Sequence, residues 1–598
     1  MCGIVGFIGQ GSVQETLVEG LQKLEYRGYD SAGIFVLNDP NDGYLVKQAG
    51  RIKELREAVD FDKPAKVGIG HTRWATHGEA NVTNAHPHLS QDNRYALVHN
   101  GVIENFKEIK EEDLAGVQFK TQTDTEVVVA LIAKYAQEGL STIEAFHKAL
   151  KRIEGSYAFA LIDEADPETL YTAKNKSPML VGLGQDFNVV ASDAMATIQL
   201  THDYLEIKDK EVVIVTQDKV IIEDQDGKQV DRAPFKAEID ANDLDKGAYP
   251  YYMIKEIDEQ PAVIRRLIQT YKNDQGQFEV PADLITAMQQ ASNLHIVACG
   301  TSAHAGWVGK TLFESMVGIP TMVHTASEFA YHQPLLGDKP FFIFLTQSGE
   351  TADSRQALVK VNEKGYPSLT ITNVKGSTLS REASYTLLLH AGPEIAVAST
   401  KAYTAQITVM AILADVLSNH DYGFDMGHEL SIIATAMESI LSEKDTIKAW
   451  VDANLMATRN AFYIGRHLDY YVSMEAALKL KEISYVQTEA FASGELKHGT
   501  IALVESGTPV IAVVSDPTTA SHTRGNVEEV KARGANAMVI ATQDLAKEGD
   551  QFVVPYIQAE LSPLATVVVT QLIAYYTALG RGLDVDKPRN LAKSVTVE

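Results

Sequence analysis

From its start to about residue 240 the chain alternates short apolar runs with polar breaks. Ile4, Val5, Phe7 and Ile8, then Tyr95-Ala96-Leu97-Val98-His99, then Tyr157-Ala158-Phe159-Ala160-Leu161-Ile162 have the length and composition of buried strands. A few stretches, Thr125 to Gln137 among them, read as helices. Stacked β-sheets with helices outside satisfy that alternation. A polar, acidic stretch from Glu238 to Lys246, before Gly247, has little to bury. The first domain is therefore set at 1–240 and a linker at 241–250.

Beyond it the period changes. From Tyr251 to Gln290 apolar residues fall at helical spacing (Ile254, Ile257, Val263, Ile264, Leu267, Ile268), with a break expected at Pro261. Two similar segments follow. In the first, strand His295-Ile296-Val297-Ala298 runs into Cys299-Gly300-Thr301-Ser302 and a helix from Ala303. In the second, Ala461-Phe462-Tyr463-Ile464 runs into Gly465-Arg466 and a helix carrying Met474 to Ile483. Each then has a related polar patch, Thr325 to Ala330 and Thr488 to Ser493, and two buried strands. Those strands are Phe341 to Leu345 and Ser368 to Thr372 in one, Pro509 to Val514 and Ala537 to Ala541 in the other. Strand, loop and helix in tandem predict two doubly wound parallel sheets, one in 251–450 with leading helices and one in 451–590, ahead of a tail over 591–598.

Composition narrows the functions open to such a chain. At 598 residues with 45% hydrophobic and 22% charged side chains, a globular multidomain α/β protein with a sizeable core is expected. Seventy-nine acidic against 53 basic side chains give a formal charge of −26, which argues against nucleic acid or anionic membrane as partner. The two cysteines, Cys2 and Cys299, provide no disulfide framework and suit a reducing compartment. No basic n-region precedes the first apolar residues, and no apolar run reads as long enough to span a bilayer. A cytoplasmic protein is expected.

Cys2 carries the first candidate chemistry. Once the methionine before it is trimmed, the freed α-amine, with a pKa of about 7.7–8.0, lies within reach to take the thiol proton through a water. The segments Tyr26 to Gly33, His71 to Gly78 and His99-Asn100-Gly101 place polar residues in what read as short Gly-rich turns. With Cys2 they resemble the amino-terminal-nucleophile glutamine amidotransferases, whose fold has four layers, αββα. The resemblance implies that Cys2 attacks the glutamine amide and that Asn100 with the amide of Gly101 forms the oxyanion hole. It also implies that Arg73, Thr76, His77 and Asp124 bind glutamine, Arg73 through the α-carboxylate and Asp124 through the ammonium. Read singly, Arg73 is a surface ion pair, Asn100-Gly101 a hairpin turn and Asp124 a helix N-cap.

The second candidate is Thr346-Gln347-Ser348-Gly349-Glu350-Thr351, between an apolar strand and a helix near Ala352. Hydroxyls and unpaired N–H groups at a helix start can hold a phosphate, and the lysine and glycine spacing of a P-loop are missing. The stretch resembles the sugar isomerase (SIS) domain. Two such domains behind a glutaminase resemble the glutamine:fructose-6-phosphate aminotransferase family over essentially the whole chain. Further motifs carrying the likeness are Ala298 to Ser302, Val397-Ala398-Ser399-Thr400-Lys401, Ala477 to Glu482, Gly494 to Gly499 and Pro588 to Ser594.

That resemblance implies sugar-phosphate binding by Ser302, Thr346, Gln347, Ser348 and Thr351, with Val397, Ser399 and Lys479 at the sugar. Lys593 would form a Schiff base with C2, Glu482 would shuttle a proton between carbons, and His498, contributed by a neighbouring subunit, would open the ring. Trp74 would gate a dry passage for ammonia. The implied substrates are L-glutamine and D-fructose 6-phosphate, in a homodimer with no cofactor and no metal. Family members often have serine at Thr346, a change that keeps the hydroxyl. Read singly, Lys593 is a solvated tail charge, Lys479 and Glu482 a surface ion pair, His498 a turn cap and Trp74 a core aromatic. Cys299 is expected to be a buried apolar residue. An amidophosphoribosyltransferase lacks its pyrophosphate loop here, and a sugar-phosphate-sensing regulator would carry a basic head in place of residues 1–240.

Overall fold

The computed structural model describes residues 2–75, 77–237, 245–418 and 420–596. The chain divides into two compact units, residues 1–245 with 594–598, and residues 246–593. Residues 241–244 of the expected linker and the glutamine-binding candidate Thr76 lie outside the described residues.

The first unit stacks two antiparallel sheets. In the eight-stranded sheet Gly3–Gly9 lies between Phe187–Ala191 and Val67–Arg73. In the seven-stranded sheet Tyr95–Ile103 lies between His88–Leu89 and Gly155–Asp163. Alternation along each strand assigns the faces. Ile4 and Ile8 meet Ala96, Val98, Ala158 and Ala160 in the core between the sheets. Val5 and Phe7 face the other way, onto the helix Val13–Leu24. On the outer side of the second sheet Leu97 and Phe159 pack under Thr125–Gln137 and Thr142–Arg152. The latter helix starts at a reciprocal Ser141–Glu144 capping box. These are the four expected layers, and the strand after Cys2 is central rather than an edge.

The second unit carries two five-stranded parallel sheets. One runs Thr321–Thr325, Asn293–Ala298, Pro340–Thr346, Ser368–Thr372, Tyr385–Leu388. The other runs Gln487–Ala492, Asn460–Gly465, Pro509–Val514, Asn536–Thr542, Phe552–Val554. Both therefore have strand order 2-1-3-4-5. The winding reverses beside the first strand, and ligands bind outside the carboxyl ends of the strands at such a switch point. Cys299–Ser302 and Thr346–Thr351 flank that point in the first sheet.

Four expectations change. No break occurs at Pro261, because Tyr252–Thr270 is one helix. Proline leaves the Ile257 carbonyl without its helical N–H, and the Gln260 side-chain amide supplies a donor at 3.1 Å. The helix expected from Ala303 begins at Gly300, which puts Ser302 in its first turn. The two polar patches are not equivalent, since Thr325 to Ala330 spans a strand end and the helix Ala326–Tyr331 while Thr488 to Ser493 lies largely within Gln487–Ala492. One stretch, Ala559–Gly580, is long and apolar enough to cross a membrane, yet most of it is buried inside the fold as a core helix.

Candidate functional site

Cys2 sits at the head of Gly3–Gly9, and the neighbouring strand Val67–Arg73 ends one residue short of Trp74. The Trp74 N–H reaches Cys2 Sγ at 3.2 Å. Burial pushes the Cys2 thiol up, so the proton has to be removed as the sulfur attacks. The expected turns are in part strands: His71 to Arg73 ends one, and His99-Asn100-Gly101 lies inside Tyr95–Ile103, while the residues after Arg73 form a loop. Asn100 Nδ2 donates to the Cys2 carbonyl at 3.1 Å across 98 residues of chain. Gly101 has φ +139°, and a Cβ there would come 2.1 Å from the Ser156 carbonyl oxygen, so only glycine fits.

Arg73 is buried rather than a surface ion pair. Its guanidinium donates to the carbonyls of His77, of Gly78 at 3.2 Å and of Glu79 at 3.0 Å, which fixes the loop after Trp74. His77 borders that loop, its ring edge-on to Phe106 and its buried Nδ1 without a hydrogen-bond partner among the described residues. Asp124 does not cap its helix. Its carboxylate accepts the Ile103 N–H at 2.7 Å, which ties the helix start to the strand bearing Asn100. Asp30, not singled out from sequence, accepts the Ala75 N–H at 2.9 Å. Trp74 is half-buried with its ring edge-on to Tyr29.

In the second unit Thr346 ends its strand and Thr351 precedes the helix Ala352–Glu363. The Gly349 N–H reaches Thr346 Oγ1 at 3.0 Å, and the Glu350 N–H reaches Ser348 Oγ at 3.2 Å. Gly349 has φ +68°, and a Cβ there would strike Ser377 Oγ. The loop curls its hydroxyls and N–H groups over the helix start, a geometry suited to an anion. The Gln347 carbonyl accepts the Asn373 N–H at 3.1 Å, which holds the loop against the next strand. Ser302 Oγ accepts from Gln406 Nε2 at 2.9 Å.

Lys593 is no solvated tail charge. Its side chain is 2% exposed, and Nζ lies 2.5 Å from Glu394 Oε2 and 2.8 Å from the Ala396 carbonyl. Ser399 donates to the same carboxylate at 2.8 Å, so two predicted residues meet on one acid. Burial opposes the Glu394 charge, but the Lys593 ammonium against it and the Thr400 and Ala402 N–H groups outweigh burial and hold it below the usual carboxylate range. Glu256 accepts the Ile395 and Ala396 N–H groups, and there burial pushes the carboxyl up. Val397 is buried, its N–H on the Asp586 carbonyl.

Lys479 and Glu482 are not a surface pair either. Lys479 Nζ, 1% exposed, lies 2.6 Å from Glu482 and 3.4 Å from Glu475, which is wholly buried. Glu475 also accepts from Thr301 at 3.1 Å and pairs with His304 Nδ1 at 2.8 Å. Thus the helix Gly300–Leu312 and the helix Leu468–Ser484 join at the buried Glu475 carboxylate. His498 stands apart, exposed at the end of the short turn Leu496–His498, and no hydrogen bond joins its ring to Glu482 or Lys593 among the described residues. Cys299 is half-buried, not fully buried, at the cap of Gly300–Leu312.

Sequence reasoning missed Glu394, Glu256, Glu475 and His304. Glu475 had a signal, lying one helical turn before Lys479, and Glu394 stands three residues ahead of the Val397 motif. Nothing local marks Glu256 as a partner of the 395–396 backbone.

Comparison with known proteins follows the same division. Residues 57–227 match the glutamine amidotransferase domain family, and 287–415 and 454–581 each match the SIS domain family. The chain is 60% identical over 604 residues to the glutamine–fructose-6-phosphate aminotransferase (isomerizing) of Streptococcus pneumoniae and 58% identical to that of Bacillus subtilis, with all of both chains covered in each case. Among solved structures, the C-terminal domain of glucosamine-fructose-6-phosphate aminotransferase from Francisella tularensis superposes with a TM-score of 0.55 at 33% identity, covering 57% of this chain and 100% of that one.

Proposed function

The chain belongs to the isomerizing glutamine–fructose-6-phosphate aminotransferase family, and from that premise we propose how its residues divide the reaction. The enzyme transfers the amide nitrogen of L-glutamine to D-fructose 6-phosphate and isomerises the product, giving D-glucosamine 6-phosphate and L-glutamate.

In the glutaminase half the Cys2 sulfur attacks the amide carbon as the thiol proton passes to the α-amine freed by methionine removal, which then delivers that proton to the departing nitrogen. The developing oxyanion is received by Asn100 Nδ2–H and the Gly101 N–H, each donor supplying on the order of 3 kcal/mol. Ammonia leaves, and water cleaves the γ-glutamyl thioester to glutamate. Arg73 and Asp124 hold the α-carboxylate and α-ammonium, alongside His77 and Thr76.

In the sugar half the Thr346–Thr351 loop and Ser302 hold the phosphate, and Val397, Ser399 and Lys479 hold the sugar. His498 of a second copy opens the ring. Lys593 then condenses as the free amine with the C2 ketone, losing water, after giving up the proton that its contact with Glu394 otherwise favours. Ammonia displaces the lysine at C2, and Glu482 carries a proton from C1 to C2. We read the enzyme as cytoplasmic and at least dimeric, and active enzyme sedimenting only as monomer would remove the second copy from this account.

The observation that carries the reading is Cys2 with Asn100 donating beside it in one unit and Lys593 buried on Glu394 in the other. Incubation with glutamine and fructose 6-phosphate should yield glucosamine 6-phosphate and glutamate, and Cys2→Ala should abolish both while output from added ammonium salts persists. Glutamine-driven output from Cys2→Ala would refute the scheme. In the same assay Trp74→Ala should still hydrolyse glutamine but deliver about half as much amino sugar per glutamine if Trp74 gates the ammonia, an effect of about 0.4 kcal/mol.

A further inference from the structure

Asparagine serves an oxyanion only if its NH2, and not its C=O, faces the reacting carbonyl, and nothing within Asn100 itself fixes that choice. His71 does. It is wholly buried on the strand Val67–Arg73, its Nε2 3.0 Å from the His99 carbonyl and 3.1 Å from Asn100 Oδ1. A backbone carbonyl can only accept, so Nε2 carries the hydrogen. Shared with the side chain, that hydrogen faces Oδ1 and turns Nδ2 the other way, to 3.1 Å from the Cys2 carbonyl. A flipped amide would set N–H against N–H at His71 and oxygen against oxygen at Cys2, unfavourable at both ends in a buried site.

The ring is itself held. It stacks on His86 at 4.1 Å between centroids, and His86 meets His88 at 4.5 Å. His86 Nδ1 accepts the His99 N–H at 3.2 Å. Burial lowers His71 to about 3, so it remains a neutral Nε2–H tautomer at working pH.

The geometry points to His71 as a positioning residue of the glutaminase half, one that locks the Asn100 amide with its N–H toward Cys2. The inference rests on Asn100 being an oxyanion donor. Without the lock a share of molecules would present a carbonyl oxygen to the developing negative charge and lose that donor.

The test compares His71→Leu, which removes the hydrogen at similar volume, with His71→Gln, whose amide can restore a donor, and with Asn100→Ala, in the full-length enzyme. Steady-state glutamine hydrolysis is measured alongside the rate of Cys2 alkylation by iodoacetamide, which needs the thiol but no oxyanion hole. His71→Leu should lower kcat about 10- to 100-fold with KM for glutamine and alkylation within about two-fold of wild type, and His71→Gln should recover kcat to within about five-fold. The inference is overturned by a His71→Leu kcat within two-fold of wild type, by His71→Gln falling as far as His71→Leu, or by loss of alkylation in both, which would mark packing alone. Should His71→Leu not fold, His71→Asn, whose shorter amide stops short of Asn100, takes its place under the same criteria. An unchanged kcat in Asn100→Ala would instead refute the oxyanion reading beneath it.

Discussion

Behind Cys2 the buried histidines are neutral, with Arg73 and Asp124 the buried charges beside them. His71, His86, His88 and His99 form a wholly buried cluster that burial keeps uncharged, and they act through ring stacking, tautomer and hydrogen-bond direction. Around Lys593 and Lys479 the buried groups are ions held in pairs, Lys593 on Glu394 and Lys479 between Glu475 and Glu482. The two chemistries proposed for these sites account for the contrast. Amide cleavage at a thiol needs dipoles aimed at charge that exists only transiently, which neutral groups of fixed hydrogen-bond direction can supply. Schiff-base formation and a proton shift between carbons need groups that gain and lose protons, and such groups survive burial only with partners.

The sharpest way to break this contrast is to change the lysine. Lys593→Arg keeps a cation for Glu394 but cannot condense with a ketone, so glucosamine 6-phosphate output should fall by at least about 10³-fold while glutamine hydrolysis persists. Retained output would remove covalent catalysis from the sugar half.

A smaller effect separates pairing from catalysis. Glu475→Gln leaves buried Lys479 with one carboxylate, and a broken buried pair costs about 3–5 kcal/mol, so urea unfolding of the sugar half should move to lower concentration. An unchanged midpoint would show that Glu482 alone suffices for Lys479.

The mildest perturbation is acid. A histidine whose folded pKa is lowered adds stability that is complete above about 6.5 and is lost as pH falls toward the folded value, which for His71 is about 3. Glu394 is lowered from the carboxylate range, so its contribution starts to fade only at lower pH. The sugar half also has lowered histidines, His295, His324 and His390, but only His295 is fully buried. Between pH 6.5 and 5 the half with four buried ones should therefore loosen first, by up to about 1.4 kcal/mol per pH unit per proton. Hydrogen exchange on the intact enzyme should show strand Val67–Arg73 losing protection before strand Pro340–Thr346, and the reverse order would contradict the contrast.

Several elements were readable from the chain alone because side-chain direction repeats with the backbone. The helix Thr125–Gln137 and the strands Ser368–Thr372 and Pro509–Val514 fall at the residues their periodicity marks. Pro261 misled because a local rule about a missing N–H says nothing of the side chain that compensates for it. Asn100-Gly101 misled in the same way, its turn signal overridden by pairing with Tyr157 and Ala158.

The sequence by itself determined the layers and the two parallel sheets, which are matters of residue type and spacing, and its resemblance to a family marked Cys2, Asn100, the Thr346–Thr351 loop and Lys593 as candidates. Only the tertiary structure decided that Lys593 is buried on Glu394, 199 residues away, that Lys479 lies between two acids, and that His71 faces Asn100. Periodicity encodes which face a residue occupies. Which partner waits on the opposite face depends on how distant segments meet, and the cost of burying an unpaired charge or amide makes that meeting decisive.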